Sequence, residues 1–464
     1  MPIKLNHQLG DLMDSKSDKS GSQNTRREFV RDIGAAGLLV AAATGAPTVF
    51  AQGKAPISLS FWTFENPQQR PWLHKRVKQY TDRNPHVKVD FQWFAMGDLS
   101  KKVSVGYATG TAPDGFVSQD WVMPVWMSKN LLAPLDVSRL GYANYNAFVD
   151  DFAPAFVAGA TQGGKVYGYP LWFYAFSNYI NTNHFKEAGL DPVKNAPKTW
   201  DEFGEVAKRL TRKEGGKFTR QGFKFSMIAP VWTMLQYNPI LLMSGGKWFD
   251  DAGKCTVNNV AGVKAMTLRA SMVRQYGTED PTDTIATAPL PGMDWLKERC
   301  SMFWSHPLPL VAIKSQNEKM AAEGYFKPIQ YPGIGSTKGF STSYGFNLVI
   351  NAQVSQAKQE ALHDLYKFIM SDPLDAWADT QPFPLARKSG WADNPAVKTF
   401  PHVDEILGAR DRGVYLPRTV VYNELSDAMH RAVQKVLLNN GDIQQTLNEA
   451  AAEVDRASAA LKKA

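Results

Sequence analysis

The chain has 464 residues, 44% of them hydrophobic and 21% charged, which describes an ordinary globular protein too long for one core and divided into two or three domains. Its formal net charge is +8, yet no Lys/Arg run of the kind that tracks a phosphate backbone occurs, so nucleic acid is not expected as a partner. The positive surplus suits either an acidic solute or plain solubility. Aromatic residues reach 12%, including 13 Trp, a content that goes with recognition by ring faces as well as with core packing.

Residues 1–51 read as an export segment and not as part of the fold. Thr25-Arg26-Arg27-Glu28-Phe29-Val30 is a twin-arginine pattern, the apolar stretch Ile33 to Ala46 follows it, and Val49-Phe50-Ala51 offers a small-residue cleavage site before Gln52. That apolar stretch is well short of the ~20 residues that span a bilayer, and its Gly and Ala content keeps it only weakly hydrophobic. The expectation is a periplasmic protein whose signal is cleaved after Ala51. Removing six positive and five negative charges with that segment takes the net charge from +8 to +7.

From Ile57 the chain alternates apolar and polar residues through Phe64, then turns at Glu65-Asn66-Pro67. A helix to about Arg83, stopped by Asn84-Pro85, leads to a second strand, Val87 to Trp93. This β-α-β unit is the building block of an open parallel sheet, and in such sheets loops at the carboxyl ends of strands face the ligand crevice. Phe64 and Glu65 therefore fall at a candidate site by topology alone. After a helix over Lys101–Thr109, a short strand at Gly115-Phe116-Val117 ends in Ser118-Gln119-Asp120-Trp121, which places Asp120 and Trp121 in the same position.

Gly163-Gly164 is a turn signal, and the run from Lys165 to Asn181 is extended and dense in rings, including Trp172 and Tyr174. Such a run is either a core strand or a crossing strand whose rings face a cleft. A helix starts at Trp200; another starts at Pro230 with Trp232 in its first turn; Lys247 to Val257 reads as a hairpin over Gly253. Later come the strand Cys300-Ser301-Met302-Phe303-Trp304-Ser305, a strand through Tyr344 to Ile350, a helix from Ser355 to Met370, and tail helices split at Asn439-Asn440-Gly441-Asp442. Cys255 and Cys300 are the only cysteines; in an oxidising compartment they form one disulfide or remain two buried thiols. No metal-ligand spacing, nucleophile elbow or phosphate loop occurs, so no catalytic residue, metal or cofactor is expected.

One resemblance covers essentially all of residues 52–464. Gly164-x-x-Tyr167-x-x-Pro170, Tyr179-Ile180-Asn181, Phe185-Lys186-Glu187-Ala188-Gly189-Leu190 and Pro197-Lys198-Thr199-Trp200-Asp201-Glu202-Phe203 follow one another in order, as does Gln381 to Arg387 with its Pro-x-Arg element. These blocks resemble the sugar-type extracellular solute-binding proteins, family 1, of ABC importers. The sequence departs from that pattern at Asn130, where the family has glycine, and at Glu298-Arg299, where it has Gly-Lys.

The resemblance implies an α/β, two-lobed periplasmic-binding-protein fold of the maltose-binding-protein-like type, with a hinge between lobes. It implies 52–172 plus 345–372 as lobe I and 173–344 plus 373–464 as lobe II, with a third crossing at Ser371-Asp372-Pro373. It further implies a monomer that captures a sugar by hinge closure and docks on permease subunits in the membrane, after export by the twin-arginine translocase. The ligand set it implies joins Phe64, Glu65, Asp120 and Trp121 to Trp172, Tyr174, Trp232, Trp304, Tyr344, Arg418 and Tyr422. Arg387 is read as a loop clamp and His306 as structural. Two other readings stand beside this one: an exported carbohydrate-active hydrolase or lyase, and a binder of a non-sugar solute such as glycerol phosphate.

Overall fold

The computed structural model describes residues 55–461, apart from 68, 285–290, 308–309, 311, 314–315, 381–384, 390–393 and 400–401. The export segment with Arg26, Arg27 and Ala51 lies outside the described residues, as do 381–384 of the Pro-x-Arg loop.

The first sheet is built from β1 (Ile57–Phe64), β2 (Val87–Phe94), β3 (Gly115–Gln119), β6 (Tyr169–Ala175) and β12 (Ser343–Ile350), in the order β2-β1-β3-β12-β6. Its β1–β2 and β1–β3 pairs are parallel, and β12 runs antiparallel to both β3 and β6. A short hairpin of β4 (Thr161–Gln162) and β5 (Lys165–Val166) precedes β6. The second sheet joins β7 (Ser177–Asn181), β8 (Arg212–Glu214), β9 (Lys217–Lys224), β10 (Cys300–Ser305) and β11 (Phe326–Ile329), in the order β11-β7-β10-β9-β8. Every residue of β6, β7, β10 and β12 is buried, as expected of strands covered on both faces.

Between β6 in one sheet and β7 in the other lies a single residue, Phe176. The ring-dense run is thus a crossing strand. The return crossing is Ser341-Thr342-Ser343: Ser343 begins β12, and Val414 pairs alongside through Ser343 N to Val414 O (2.8 Å) and Val414 N to Ser341 O (2.8 Å).

The third crossing is not at Ser371-Asp372-Pro373. There the Asp372 carboxylate accepts from Asp375 N (2.9 Å) and caps the helix Pro373–Thr380. That helix stays on the first lobe, because Lys75 of the helix Arg70–Arg83 reaches Asp375 at 2.5 Å and Asp379 at 2.6 Å. Leu385 then pairs beside Trp172, and Arg387 bonds Met370 O (2.8 Å) and faces Asp151 (3.3 Å). The chain therefore still lies on the first sheet at Arg387, and the expected switch comes later. Arg387 is a clamp, as read from the sequence.

The second lobe is held by the helices Trp200–Leu210, Pro230–Met243, Val260–Arg274, Tyr422–Leu438 and Ile443–Leu461. Thr199 opens the first of these with a capping box: its side chain accepts from Glu202 N while Glu202 reaches back to the Thr199 backbone. The two cysteines are not bridged. Cys255 lies in the large apolar cluster beside the Phe249 hairpin and Cys300 in a separate one around Trp295 and Phe303, each thiol buried. Among the described residues no helix is long and apolar enough to cross a membrane.

Candidate functional site

The carboxyl ends of β1 and β3 bring Phe64 and Asp120-Trp121 to the same edge of the first sheet, where β12 passes beside them. Phe64 stacks on Phe346 (4.4 Å between centroids, 29°), and Asp120 N donates to Gly345 O (3.0 Å). On that base stands a continuous set of rings. Tyr174 and Tyr344 face each other across the β6–β12 pair (5.0 Å, 14°), and Trp121 packs against Tyr344 (5.6 Å) and Tyr422 (6.1 Å). Offset stacks and edge contacts of this kind are favourable beyond the area they bury.

The second lobe closes the set. Trp232 stands in the first turn of the helix Pro230–Met243, and His306 follows the last residue of β10. Phe176, the crossing residue, touches Trp232 (6.1 Å), His306 (6.0 Å) and Tyr344 (5.9 Å), while His306 also lies 5.6 Å from Tyr174 and 5.7 Å from Trp232. Rings from both sheets thus meet around the crossing strand. A flanking cavity of about 380 Å³ opens from Trp121 and Tyr422, with Asp98 and Lys101 on one wall and Val231 and Asp427 on the other.

Polar groups are few and specifically placed. Asp120 is 1% exposed; its Oδ1 has no partner and its Oδ2 is 3.7 Å from Arg418 Nη2. Burial pushes its pKa up to about 6, against the pull of Arg418 and of nearby backbone N–H groups. The Arg418 guanidinium lies flat on Gly159, where a Cβ would come within 2.4 Å of Nε, and over the Tyr415 ring (4.9 Å). Any side chain at residue 159 would therefore evict it. Burial lowers the His306 pKa to about 4, so the imidazole is neutral at physiological pH. Gln69, buried at the start of the helix Arg70–Arg83, donates to the Tyr174 hydroxyl (2.5 Å).

Of the residues expected from the sequence, Phe64, Asp120, Trp121, Tyr174, Trp232, Tyr344, Arg418 and Tyr422 converge here. Glu65 stands at the end of β1, half-exposed and paired with Arg70 (2.6 Å). Two of the expected residues belong elsewhere. Trp172 shares a face of β6 with Tyr174 but lies two residues further from the crossing at Phe176, and it packs edge-on against Trp72 (5.0 Å) of the helix Arg70–Arg83 in the first lobe. Trp304 is enclosed by Trp200, Phe203, Phe223 and Phe225 within the second lobe, on the face of β10 that its helices cover. His306, Phe176 and Gln69 join the site without having been expected there. The rule that placed Asp120 after β3 applies equally to His306 after β10 and was the available signal. Among the described residues no three His, Cys, Asp or Glu side chains are grouped so as to hold a metal ion.

The family described as bacterial extracellular solute-binding protein matches residues 66–373. A probable ABC transporter-binding protein of Deinococcus radiodurans is 25% identical over 299 residues, 61% of this chain and 67% of that protein. A lactose-binding protein of Rhizobium radiobacter is 25% identical over 203 residues, 42% of this chain and less than half (43%) of its own length. The ABC substrate-binding protein Lmo0181 from Listeria monocytogenes, solved in complex with cycloalternan, superposes with a TM-score of 0.75 at 18% identity, covering 87% of this chain and 99% of that one. At that identity the superposition speaks for the fold, a two-lobed α/β binding-protein architecture.

Proposed function

Since the chain belongs to the bacterial extracellular solute-binding proteins, we propose that it captures a sugar between its lobes and delivers it to the permease of an ABC importer. The observation that carries this reading is the ring set to which both sheets contribute, with Trp121, Tyr174 and Tyr344 on one side and Trp232 and His306 on the other. Sugars present apolar CH faces above and below the ring and hydroxyls around its rim. Aromatic platforms serve the faces, and Asp120, Arg418 and Gln69 supply the few polar partners that the rim needs. The lactose-binding relative and the cycloalternan complex of the structural neighbour support the same ligand class.

Phe176 and Ser341-Thr342-Ser343 are the hinge of this mechanism. A ligand touched from both lobes favours the closed arrangement over the open one, and only such differential contact shifts the equilibrium. The closed monomer then docks on the permease. Arg26-Arg27 would direct the folded chain through the twin-arginine translocase to the periplasm, with cleavage after Ala51.

Titration calorimetry of residues 52–464 with mono- and disaccharides tests the reading. Saturable binding of an unmodified sugar is expected. Hydrolysis or elimination of a glycan in the same samples would establish an enzyme instead.

A further inference from the structure

From the charges around the cleft we infer that the captured ligand is an uncharged saccharide or polyol and that Asp98 and Asp427, at the mouth of the flanking cavity, exclude acidic sugars. This inference rests on the sugar-capture reading above and deepens it. The chain's overall positive charge would suggest the opposite, an acidic solute, so the local arrangement has to decide.

Three guanidiniums on or beside the first sheet already face a carboxylate. Arg418 lies against Asp120, 3.7 Å away, and is held flat on Gly159. Arg70 is bonded to Glu65 at 2.6 Å. Arg387 faces Asp151 at 3.3 Å and is spent on Met370 O and Ser389, on the first lobe. At the cavity of about 380 Å³, Asp98 of the first lobe and Asp427 of the second stand exposed on opposite walls, with Lys101 as the cation lining it. Closing the lobes on a uronate or a sugar phosphate would bring its charge toward both carboxylates at once. A like charge enclosed between the lobes is repelled and also loses its water; a hydroxyl is accepted by the same carboxylates as a hydrogen-bond donor.

The amide and hydroxyls of the same lining suit a neutral rim. Ser100 donates to Gln119 Oε1 (2.9 Å), which fixes the Gln119 amide at the end of β3 beneath Trp121. Ser426 is a further lining hydroxyl, one turn into the helix Tyr422–Leu438. None of these groups carries a charge that an anion would need.

The test is calorimetric titration of residues 52–464 with matched pairs, glucose against glucuronate, galactose against galacturonate and glycerol against glycerol 3-phosphate, together with lactose, maltose and mannitol. The neutral member should bind at least about tenfold more tightly wherever a pair binds at all. The double variant Asp98→Asn, Asp427→Asn, two exposed positions, should narrow that ratio several-fold, and raising the salt should narrow it in the parent protein. A uronate or phosphate that binds more tightly than its neutral partner overturns the inference and leaves sugar capture standing. A ratio unchanged in the double variant removes Asp98 and Asp427 from the argument and overturns their part. Absence of binding across both panels overturns this inference together with the sugar reading.

Discussion

Two aromatic clusters of similar density lie a short distance apart in this protein, and they do different things. Around Trp304 the rings of Trp200, Phe203, Phe223 and Phe225 all come from the second lobe, and the cluster is closed by the helices that cover β10. Around Tyr344 the rings come from both sheets and enclose a buried carboxylate, a neutral imidazole and a guanidinium. Ring density alone does not separate a core from a binding site. Membership does: a site that closes by hinge motion must be assembled from elements that can part.

The sharpest way to break that comparison is to remove one tryptophan from each cluster. Trp304→Ala should cost about 3–5 kcal/mol of unfolding free energy, since it empties a fully enclosed site in one lobe, while the protein that remains folded binds sugar normally. Trp121→Ala should do the reverse, with at least about a tenfold loss of affinity, some 1.4 kcal/mol, and a smaller loss of stability. Urea unfolding and calorimetric titration measure the two quantities. If Trp304→Ala abolished binding in the folded fraction while Trp121→Ala left it intact, the assignment of the two clusters would be inverted.

The titratable groups sharpen the comparison further, because they occur in the interlobe cluster. His306 has its pKa lowered to about 4, below its value of 6.5 in the unfolded chain, so its contribution to stability is complete above about 6.5 and is lost as pH falls toward 4. Asp120 has its pKa raised to about 6 from 3.8, so its contribution is present at low pH and is lost as pH rises through 6. Between pH 4 and 6 the unfolded chain protonates the histidine and the folded chain protonates the aspartate. The two slopes cancel in that window. Asp120→Asn should therefore unmask a stability that rises with pH by up to about 1.4 kcal/mol per unit, and His306→Gln one that falls by as much. Stability–pH curves of the two variants with parallel slopes would sink this account.

What could be read from the sequence follows the same division. The crossing strand was legible because Gly163-Gly164, Pro170 and the unbroken ring run mark an extended segment buried on both faces, and β1 and β3 were legible from alternation and from glycine punctuation. The strand-end rule then found Asp120 and Trp121. It did not distinguish Trp172 from Tyr174, because the two share a face of β6 and differ only in their distance from the crossing at Phe176, which alternation does not report. Trp304 was misplaced because it lies on the helix-covered face of β10, one residue short of the strand end that delivers Ser305 and then His306. Ser371-Asp372-Pro373 carries the residues of a helix cap as well as those of a break, and only the contact of Lys75 with Asp375 and Asp379 decides between them. That contact joins residues 300 and more positions apart, and no local pattern announces it.

Gln69 offers a milder break. Its amide holds the Tyr174 hydroxyl from the first lobe, so Gln69→Ala should cost about 1 kcal/mol of stability and loosen the ring that faces His306. Binding should weaken a few-fold, chiefly through faster dissociation, in stopped-flow measurements. Gln69→Glu, which keeps the reach but brings a charge into the ring set, should weaken binding more than the alanine does.

Glu65 gives the smallest expected effect and marks the edge of the site. It sits at the carboxyl end of β1, where topology alone would make it a ligand contact, yet its carboxylate is bonded to Arg70 and both side chains are about two-fifths exposed, at 39% and 45%. Exposed pairs of this kind contribute about 0–1 kcal/mol, so Glu65→Gln should leave unfolding nearly unchanged. Its effect on affinity then depends on how far a ligand extends from the Tyr174–Tyr344 stack toward β1. For a ligand confined to the rings and the cavity beside Trp121, affinity should change by less than about twofold, within what the loss of one solvated hydrogen bond produces. A series from monosaccharide to trisaccharide separates the cases: a loss of affinity that appears only with the longer ligands would extend the site along β1, and a loss already present with a single ring would place Glu65 inside the cluster from which its exposure excludes it.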